Sequence, residues 1–593
     1  MLPSPPSSPA AERQFRATDV ALALLISLVM TTAWTMTAWA DLSRLILPTA
    51  DDIVRLAQVR DWLNGQAFND WTQYRMAPPN GTDMHWSRLA DLGPAAIILI
   101  LTPLMGQHGA ELAAVIAWPA MLFVVMIVLN IAMGRRLWGA SGGTIAALLT
   151  AIAYPGTTLF APGRIDHHGL QAISIALAVL ALMQAPGWRW GAVAGGAIAF
   201  SLMIGLETVP QAVLLIGCAV LFWIVSGEEE RTRLFGVAGA LAGVTGLFAV
   251  ALRPSYWPSG LCDAFTPAST SAILCAAAAI GAMAVLSPKL ADWRWRIGAG
   301  AALGIAALAT TLLLFPACTS FPYGAVDPLL HSYFLAFIDE AVSVFQQESP
   351  ARAVSLIGPV AVASLVGLVM IARSKVDWRL MLPVLVVVAI STAVMLVQLR
   401  GVYIGGPLIP PILAGLVIAA RGARRFQGLA IAGAWIAAAG ISYLELPKLA
   451  ERTSTGVERP NPINSPQHDC RTDAVWPQVD AQPAGTVMAP INMAAYLLGM
   501  TRHSIIGSGY HRNNRGTLAM YRYFLSTPDK AAQVAREWQV DYVAFCPGDF
   551  TEGHLVERYP DSVAALLDAG KTPDGLEPVP LKDVRLRLYR VRR

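Results

Sequence analysis

The segment Pro162-Gly163-Arg164-Ile165-Asp166-His167-His168-Gly169 places four ionisable side chains within five consecutive positions. Both flanks are apolar, with one run at 142–160 and another at 169–184. Ionisable groups at membrane depth are costly, and are by default candidates for function. Asp and His together supply the oxygen and imidazole ligands that divalent cations take. The same residues also read as a helix cap with two interfacial histidines, and both readings stand at this point.

Outward from this segment the apolar pattern repeats. Runs lie at 20–40, 110–133, 142–160, 169–184, 190–209, 211–226, 234–252, 271–287, 297–315, 355–372, 380–399, 402–420 and 427–445. Each is close to the about 20 residues that span a bilayer as a helix. Residues 93–105 are apolar but short, and read as re-entrant or interfacial. Ala38-Trp39-Ala40 resembles a signal-peptidase site, but the run before it is long for a signal segment, so a retained helix is expected. The reading is therefore a polytopic α-helical membrane protein of about thirteen transmembrane helices.

Composition agrees and excludes other classes. Of 593 residues 55% are hydrophobic and 14% charged, where about 25% charged is ordinary for soluble proteins. The charges are uneven: 34 of the 147 residues in 447–593 are charged, against 48 of the 446 before them. The expected organisation is a disordered cytoplasmic tail at 1–18, a transmembrane domain at 19–446, and a soluble α/β domain at 447–593. The net charge of +4 is too small for a nucleic-acid partner.

Lys and Arg set the orientation, because they accumulate in cytoplasmic loops. With the N-terminus inside, the inner loops hold sixteen of them, and the outer segments before the tail hold nine. Outer loops then fall at 41–92, 161–168, 253–270 and 316–354, and the tail is periplasmic. No CxxC or zinc spacing occurs among the six cysteines. Four lie on the outer, oxidising face, where disulfides form. Cys470–Cys546 and Cys262–Cys318 are the expected pairings, which sequence alone does not fix.

In the tail, Thr486–Ala489, His503–Gly507 and Asp541–Cys546 read as strands, Asn492–Leu498 and Lys530–Trp538 as helices, and Val584–Val591 as an edge strand. Its polar run Tyr510-His511-Arg512-Asn513-Asn514-Arg515 could touch a carbohydrate or a lipid phosphate, or be a solvated loop.

Other ionisable clusters share the outer face. Asp51 and Asp52 precede an amphipathic stretch containing Arg55, and also suit a helix start. Phe337-Ile338-Asp339-Glu340, with Glu348 beyond, lies in the loop 316–354 and by itself reads as acidic surface. Arg400 and Tyr403 lie between two late runs, where Arg suits a phosphate or anchors a helix end. Glu207 sits at the outer end of its run.

Taken in this order the motifs resemble those of the catalytic subunit of oligosaccharyltransferases, bacterial and archaeal type, and more broadly the GT-C class of membrane glycosyltransferases. The family's outer-loop G-x-x-D-H-H is similar to Gly163-Arg164-Ile165-Asp166-His167-His168. Its first-loop acidic motif falls at Asp52, beside Asp51 and without the following Pro. Its loop motif ending in Glu resembles 337–340, and its late Arg followed by Tyr resembles Arg400 and Tyr403. The likeness runs over about 20–445. The family's W-W-D-Y-G string does not occur in 446–593, so the acceptor stays open among glycan, lipid and protein.

The resemblance implies a GT-C-like fold and transfer of a sugar or oligosaccharide from a polyprenyl-phosphate or diphosphate donor on the periplasmic side of a bacterial inner membrane, with inversion. It implies Asp52, Asp51 and Glu340 as catalytic, Asp52, Asp166 and His168 holding Mg or Mn, and Arg400 and Tyr403 on the donor phosphate. His167, Arg164, Glu207 and Arg55 are the further substrate-binding candidates. The rival readings are a lipid-linked glycan flippase or transporter and a non-catalytic envelope-polysaccharide subunit. A transporter places its binding residues near mid-depth, whereas the acids here gather at one face.

Overall fold

The computed structural model describes residues 15–259, 261–320, 326–338, 340–346, 349–445 and 470–592. Most of the expected tail 1–18, the residues Asp339 and Glu348, and the start of the expected domain at 447 lie outside them.

All thirteen apolar runs fall on helices, but not as thirteen separate rods. Seven continuous helical stretches among the described residues are long and apolar enough to cross a bilayer. Two of them each contain two runs. Leu92–Ala151 is interrupted at Gly106 and Gly139, both at positive φ, and Leu206–Ala251 turns at Gly227, φ 63°. The remaining four runs are shorter helices, His168–Leu182, Trp188–Ile204 and Gln427–Ala438, and a pair bent by 54°, Leu399–Leu408 with Pro410–Arg421. The short run 93–105 is the first part of the long helix, ahead of the break at Gly106.

The bundle faces lipid with large apolar side chains. Trp293–Leu314 is the extreme case, with Ile305, Leu308 and Leu313 exposed. Small residues allow a close helix contact between Trp188–Ile204 and Arg231–Ala251. A Cβ on Gly191 or Gly195 would come within 2.2 Å of the Arg233 carbonyl oxygen or 2.4 Å of that of Val237. Asp19 of the first helix pairs with Arg135 at 2.8 Å.

The outer segments form a second layer. Helix Ala50–Leu63 is N-capped by Thr49, whose hydroxyl accepts from the Asp52 amide. The short hairpin β1 (Thr72–Gln73) and β2 (Thr82–Asp83) follows. The tail sits on this layer. Its sheet contains β3 (Thr486–Met488), β4 (Ser504–Ile505), β5 (Tyr542–Phe545), β6 (Leu576–Val579) and β7 (Arg587–Val591), in the order β4-β3-β5-β7-β6. The first three strands run parallel, and β7 is antiparallel to both of its neighbours. The helices Ile491–Met500 and Pro528–Glu537 cover the two helix-like stretches of the tail.

One strand expectation is corrected. Val584–Val591 reads as an edge, yet β7 is interior, because β6 pairs along its outer side. Both of its faces are covered: the neighbours Leu588 and Tyr589 point to opposite sides and are both buried, Leu588 in the core shared with the first loop and Tyr589 in the core on the other face.

Tail and outer loops share one hydrophobic core. Ile53, Leu56, Met76 and Trp86 pack in the same cluster as Val487, Tyr496, Leu497 and Leu588. Met76 bridges Ile505 in parallel register, so the first outer loop continues the tail sheet beyond β4. A Cβ on Gly499 would lie 2.4 Å from Ile53, and Arg60 joins the Gly499 carbonyl to Glu111.

Candidate functional site

Where this outer layer meets the bundle, a cavity of about 690 Å³ opens. Asp51, His167, His168, Glu207, Glu340 and Arg400 line it, drawn from five separate segments of the chain. The tail contributes Tyr510 and His511, the loop after residue 253 contributes Asp263, and the first outer loop contributes His85 and Trp86.

The two adjacent acids of the first loop diverge. Asp52 turns away from the cavity and is fully buried. Its Oδ2 accepts from the Thr49 hydroxyl at 2.7 Å, and its Oδ1 accepts from the amides of Ile165 and Asp166 at 2.9 and 3.0 Å. Arg164 lies 3.4 Å from it. Asp52 therefore fastens the helix start to the Asp-His-His loop, behind the cavity wall rather than on it. Asp51 is the acid on the cavity wall, and accepts from the Tyr510 hydroxyl at 2.9 Å. Burial, then the charges of Asp166 and Glu340, push its carboxyl up to about 7.

Asp166, His167 and His168 can each offer one ligand atom, and these atoms lie within 4.8 Å of one another. One carboxylate and two imidazoles are a donor set suited to a divalent cation. Asp166 bonds to the His167 amide and to the His168 ring. Burial works against its charge, but His167 and His168 hold Asp166 well below the usual carboxylate range. Beyond the trio, Glu207 lies 3.5 Å from His167 Nε2 and accepts from Gln171 at 3.1 Å.

Arg55 and Arg164, expected as substrate contacts, do not reach the cavity wall. Arg55 is fully buried. It donates to Asp91 at 2.6 Å and to His167 Nδ1 at 3.0 Å, over the Trp86 ring at 4.8 Å. It orients His167 from behind. Arg164 spans Asp52 and Asp166.

On the far wall the backbone pairs 340–342 with 399–400: the amides of Arg400 and Leu399 donate to the carbonyls of Glu340 and Val342. The Tyr403 hydroxyl donates to Glu340 at 2.6 Å, and its ring lies 4.7 Å from that of His168. The weakly patterned Glu340 is thus joined to Arg400 and Tyr403. Cys262–Cys318 and Cys470–Cys546 are both disulfide-bonded, with Cα–Cα distances of 5.4 and 6.0 Å.

Three of the wall residues named above carried no individual expectation. His85 and Trp86 lie in an outer loop where nothing in the sequence sets them apart. Asp263 is the neighbour of the disulfide-bonded Cys262, which is the one signal that could have marked it.

No protein-family model matches the chain, and no curated protein matches its sequence. Solved structures do match in fold. The archaeal oligosaccharyltransferase AglB from Archaeoglobus fulgidus, in complex with an inhibitory peptide and a dolichol-phosphate, aligns with a TM-score of 0.59 at 14% identity, over 89% of this chain and 69% of that one. The apo form of the Archaeoglobus fulgidus oligosaccharyltransferase aligns at 0.60, with the same identity and coverage. Its complex with Zn and sulfate aligns at 0.58 and 14% identity, over 89% of this chain and 67% of that one. This chain is a polytopic α-helical membrane protein with a C-terminal α/β domain, similar in fold over most of its length to the archaeal oligosaccharyltransferase.

Proposed function

We propose that this protein is a membrane glycosyltransferase that moves a sugar or oligosaccharide from a polyprenyl-phosphate or diphosphate carrier to an acceptor at the periplasmic face of a bacterial inner membrane. One observation carries the reading: Asp51, the Asp166-His167-His168 trio, Glu340 and Arg400 come from distant outer segments, and their residues line or adjoin one cavity. A flippase requires no such convergence of carboxylates and imidazoles at one end of its bundle. The archaeal protein of similar fold binds a dolichol-phosphate, which supports a lipid-phosphate donor here.

In this reading Asp166 and His168, with Asp51 in place of Asp52, hold a Mg or Mn ion. When bound, that ion supplies charge neutralisation to the leaving phosphate. Arg400 binds the same phosphate through its guanidinium. Glu340, fixed by Tyr403, closes the cavity on the side of the loop 326–346. The acceptor attacks the anomeric carbon opposite the phosphate, and the configuration inverts.

The test uses purified protein and a polyprenyl-phosphate sugar donor. EDTA should abolish transfer, and Mg or Mn should restore it. Asp51→Asn, Asp166→Ala and His168→Ala should each lower transfer by about 100-fold or more. Undiminished transfer by the Asp166 and His168 variants would overturn the metal assignment.

A further inference from the structure

A turn of the soluble tail reaches the acid side of the cavity. The Tyr510 hydroxyl donates to Asp51 Oδ1 at 2.9 Å, and among the described residues it is the only hydrogen-bond donor to that carboxylate. Asp51 lies in the first turn of helix Ala50–Leu63 but caps nothing there. Thr49 is the N-cap, and Asp52 makes the contacts to the Asp-His-His loop. A carboxylate without a partner turns freely about its side-chain torsions. A bond to Oδ1 selects one orientation, and no described residue donates to Oδ2.

Tyr510 itself has little freedom. It is 5% exposed. Its ring stands at right angles to that of Trp86, 5.1 Å between centres, and Trp86 in turn donates to Gln58 at 2.6 Å. Its carbonyl accepts from the Asn513 amide at 2.9 Å. The next two residues clamp Asp263. His511 Nε2 lies 2.5 Å from Oδ2, and Arg512 donates from Nε at 2.9 Å and from Nη2 at 2.7 Å. The Cys262–Cys318 disulfide anchors the residue before Asp263, and the Met84 carbonyl also accepts from Arg512. The hydroxyl is thus brought to Asp51 by a turn tied to two outer loops.

We infer that Tyr510 is a positioning residue of the metal centre, through which the soluble tail holds Asp51 in the orientation that ligates the ion. This rests on the glycosyltransferase reading above and on its assignment of Asp51 to the ion. Carboxylate ligands ordinarily accept a hydrogen bond of this kind, and its loss costs about 10–100-fold in metal affinity or activity. Arg55 orients His167 from within the outer loops, whereas the partner of Asp51 comes from the tail. The soluble domain is in this way part of the site.

Tyr496 supplies the comparison. It is also a buried tyrosine of the tail, and its hydroxyl also donates to the first outer loop, at 2.9 Å to the Leu47 carbonyl, but it does not line the cavity. The experiment measures Mn binding to the full-length protein in detergent, from the electron paramagnetic resonance signal of the unbound ion, with thermal unfolding alongside. Tyr510→Phe keeps the ring and removes the hydroxyl. It should raise the Mn Kd by about tenfold or more, with a similar fall in transfer, and melt like wild type. Tyr496→Phe should bind Mn as wild type does. Asp51→Asn and Asp166→Ala should weaken binding at least as much as Tyr510→Phe. An unchanged Kd in Tyr510→Phe beside weakened binding in Asp51→Asn would overturn the inference and leave the metal assignment standing. An equal rise in Tyr496→Phe would also overturn it, since that marks a general loosening of the tail. An unchanged Kd in Asp51→Asn, or no Mn binding by the wild-type protein, would overturn the assignment of Asp51 to the ion, and this inference with it.

Discussion

Arg55 sits between two interpretations that a single substitution separates. Its guanidinium is fully buried, bonded to Asp91 at 2.6 Å and to His167 at 3.0 Å, and stacked on Trp86. Asp91 is equally buried, and its other nearby cation is Arg88, at 3.8 Å from Oδ2. Arg55→Met therefore leaves a buried carboxylate with one distant partner. Removing one side of a buried pair costs about 3–5 kcal/mol, and the residual Arg88 contact favours the lower end, about 3 kcal/mol. At about 1.4 kcal/mol per tenfold, the folded-to-unfolded ratio falls by roughly two orders of magnitude. Replacing both partners by uncharged groups removes the stranded charge, so Arg55→Met with Asp91→Asn should recover most of the loss. The assay is thermal unfolding of the detergent-solubilised protein, with binding of an undecaprenyl-phosphate donor measured in parallel. The single variant should melt lower, and the double variant should return toward wild type. A single variant that melts like wild type but no longer binds donor would refute the argument, and would return Arg55 to the substrate contacts.

The clamp at Asp263 should give acid sensitivity. Burial opposes its charge, but hydrogen bonds from Arg512 and His511 hold the carboxyl well below its ordinary 3.8. Its contribution is then full above 3.8 and lost as pH falls through the lower folded value, and Asp263→Asn should flatten the acid limb of a stability-against-pH curve. Reduction of Cys470–Cys546, which are 76 residues apart, should destabilise the tail by about 4 kcal/mol on the loop-entropy account, seen as a lower melting transition in dithiothreitol or in Cys470→Ser. Gly195→Ala would place a Cβ 2.4 Å from the Val237 carbonyl oxygen. It should cost about 1–3 kcal/mol by forcing apart the helices Trp188–Ile204 and Arg231–Ala251, read as a lowered melting temperature in detergent. An unchanged melting curve in any of these would count against the contact named for it.

Much of this architecture is written locally. Apolar runs need no partner to be recognised, since their length alone matches a bilayer crossing. Short apolar runs in the tail likewise report strands at 486–488 and 542–545 without knowledge of their neighbours. Asp166, His167 and His168 were legible because charge is scarce around them. Glu340 was not, because one carboxylate in a loop resembles any solvated acid until the Tyr403 hydroxyl and the Arg400 amide are seen to meet it.

The sequence by itself determined that a membrane bundle carries a soluble tail, and that a few ionisable residues sit at the ends of its apolar runs. Tertiary structure decided which of them share a cavity. Asp51 and Asp52 show why. On a helix, successive side chains point about 100° apart, so only one of two neighbours can face a given wall. Thr49 and the amides of Ile165 and Asp166 claim Asp52 for the helix start, and Asp51 is left facing the cavity with Tyr510. The same holds for Asp263 and His511. They are 248 residues apart in the chain, and only the seating of the tail on the outer loops brings them within a hydrogen bond.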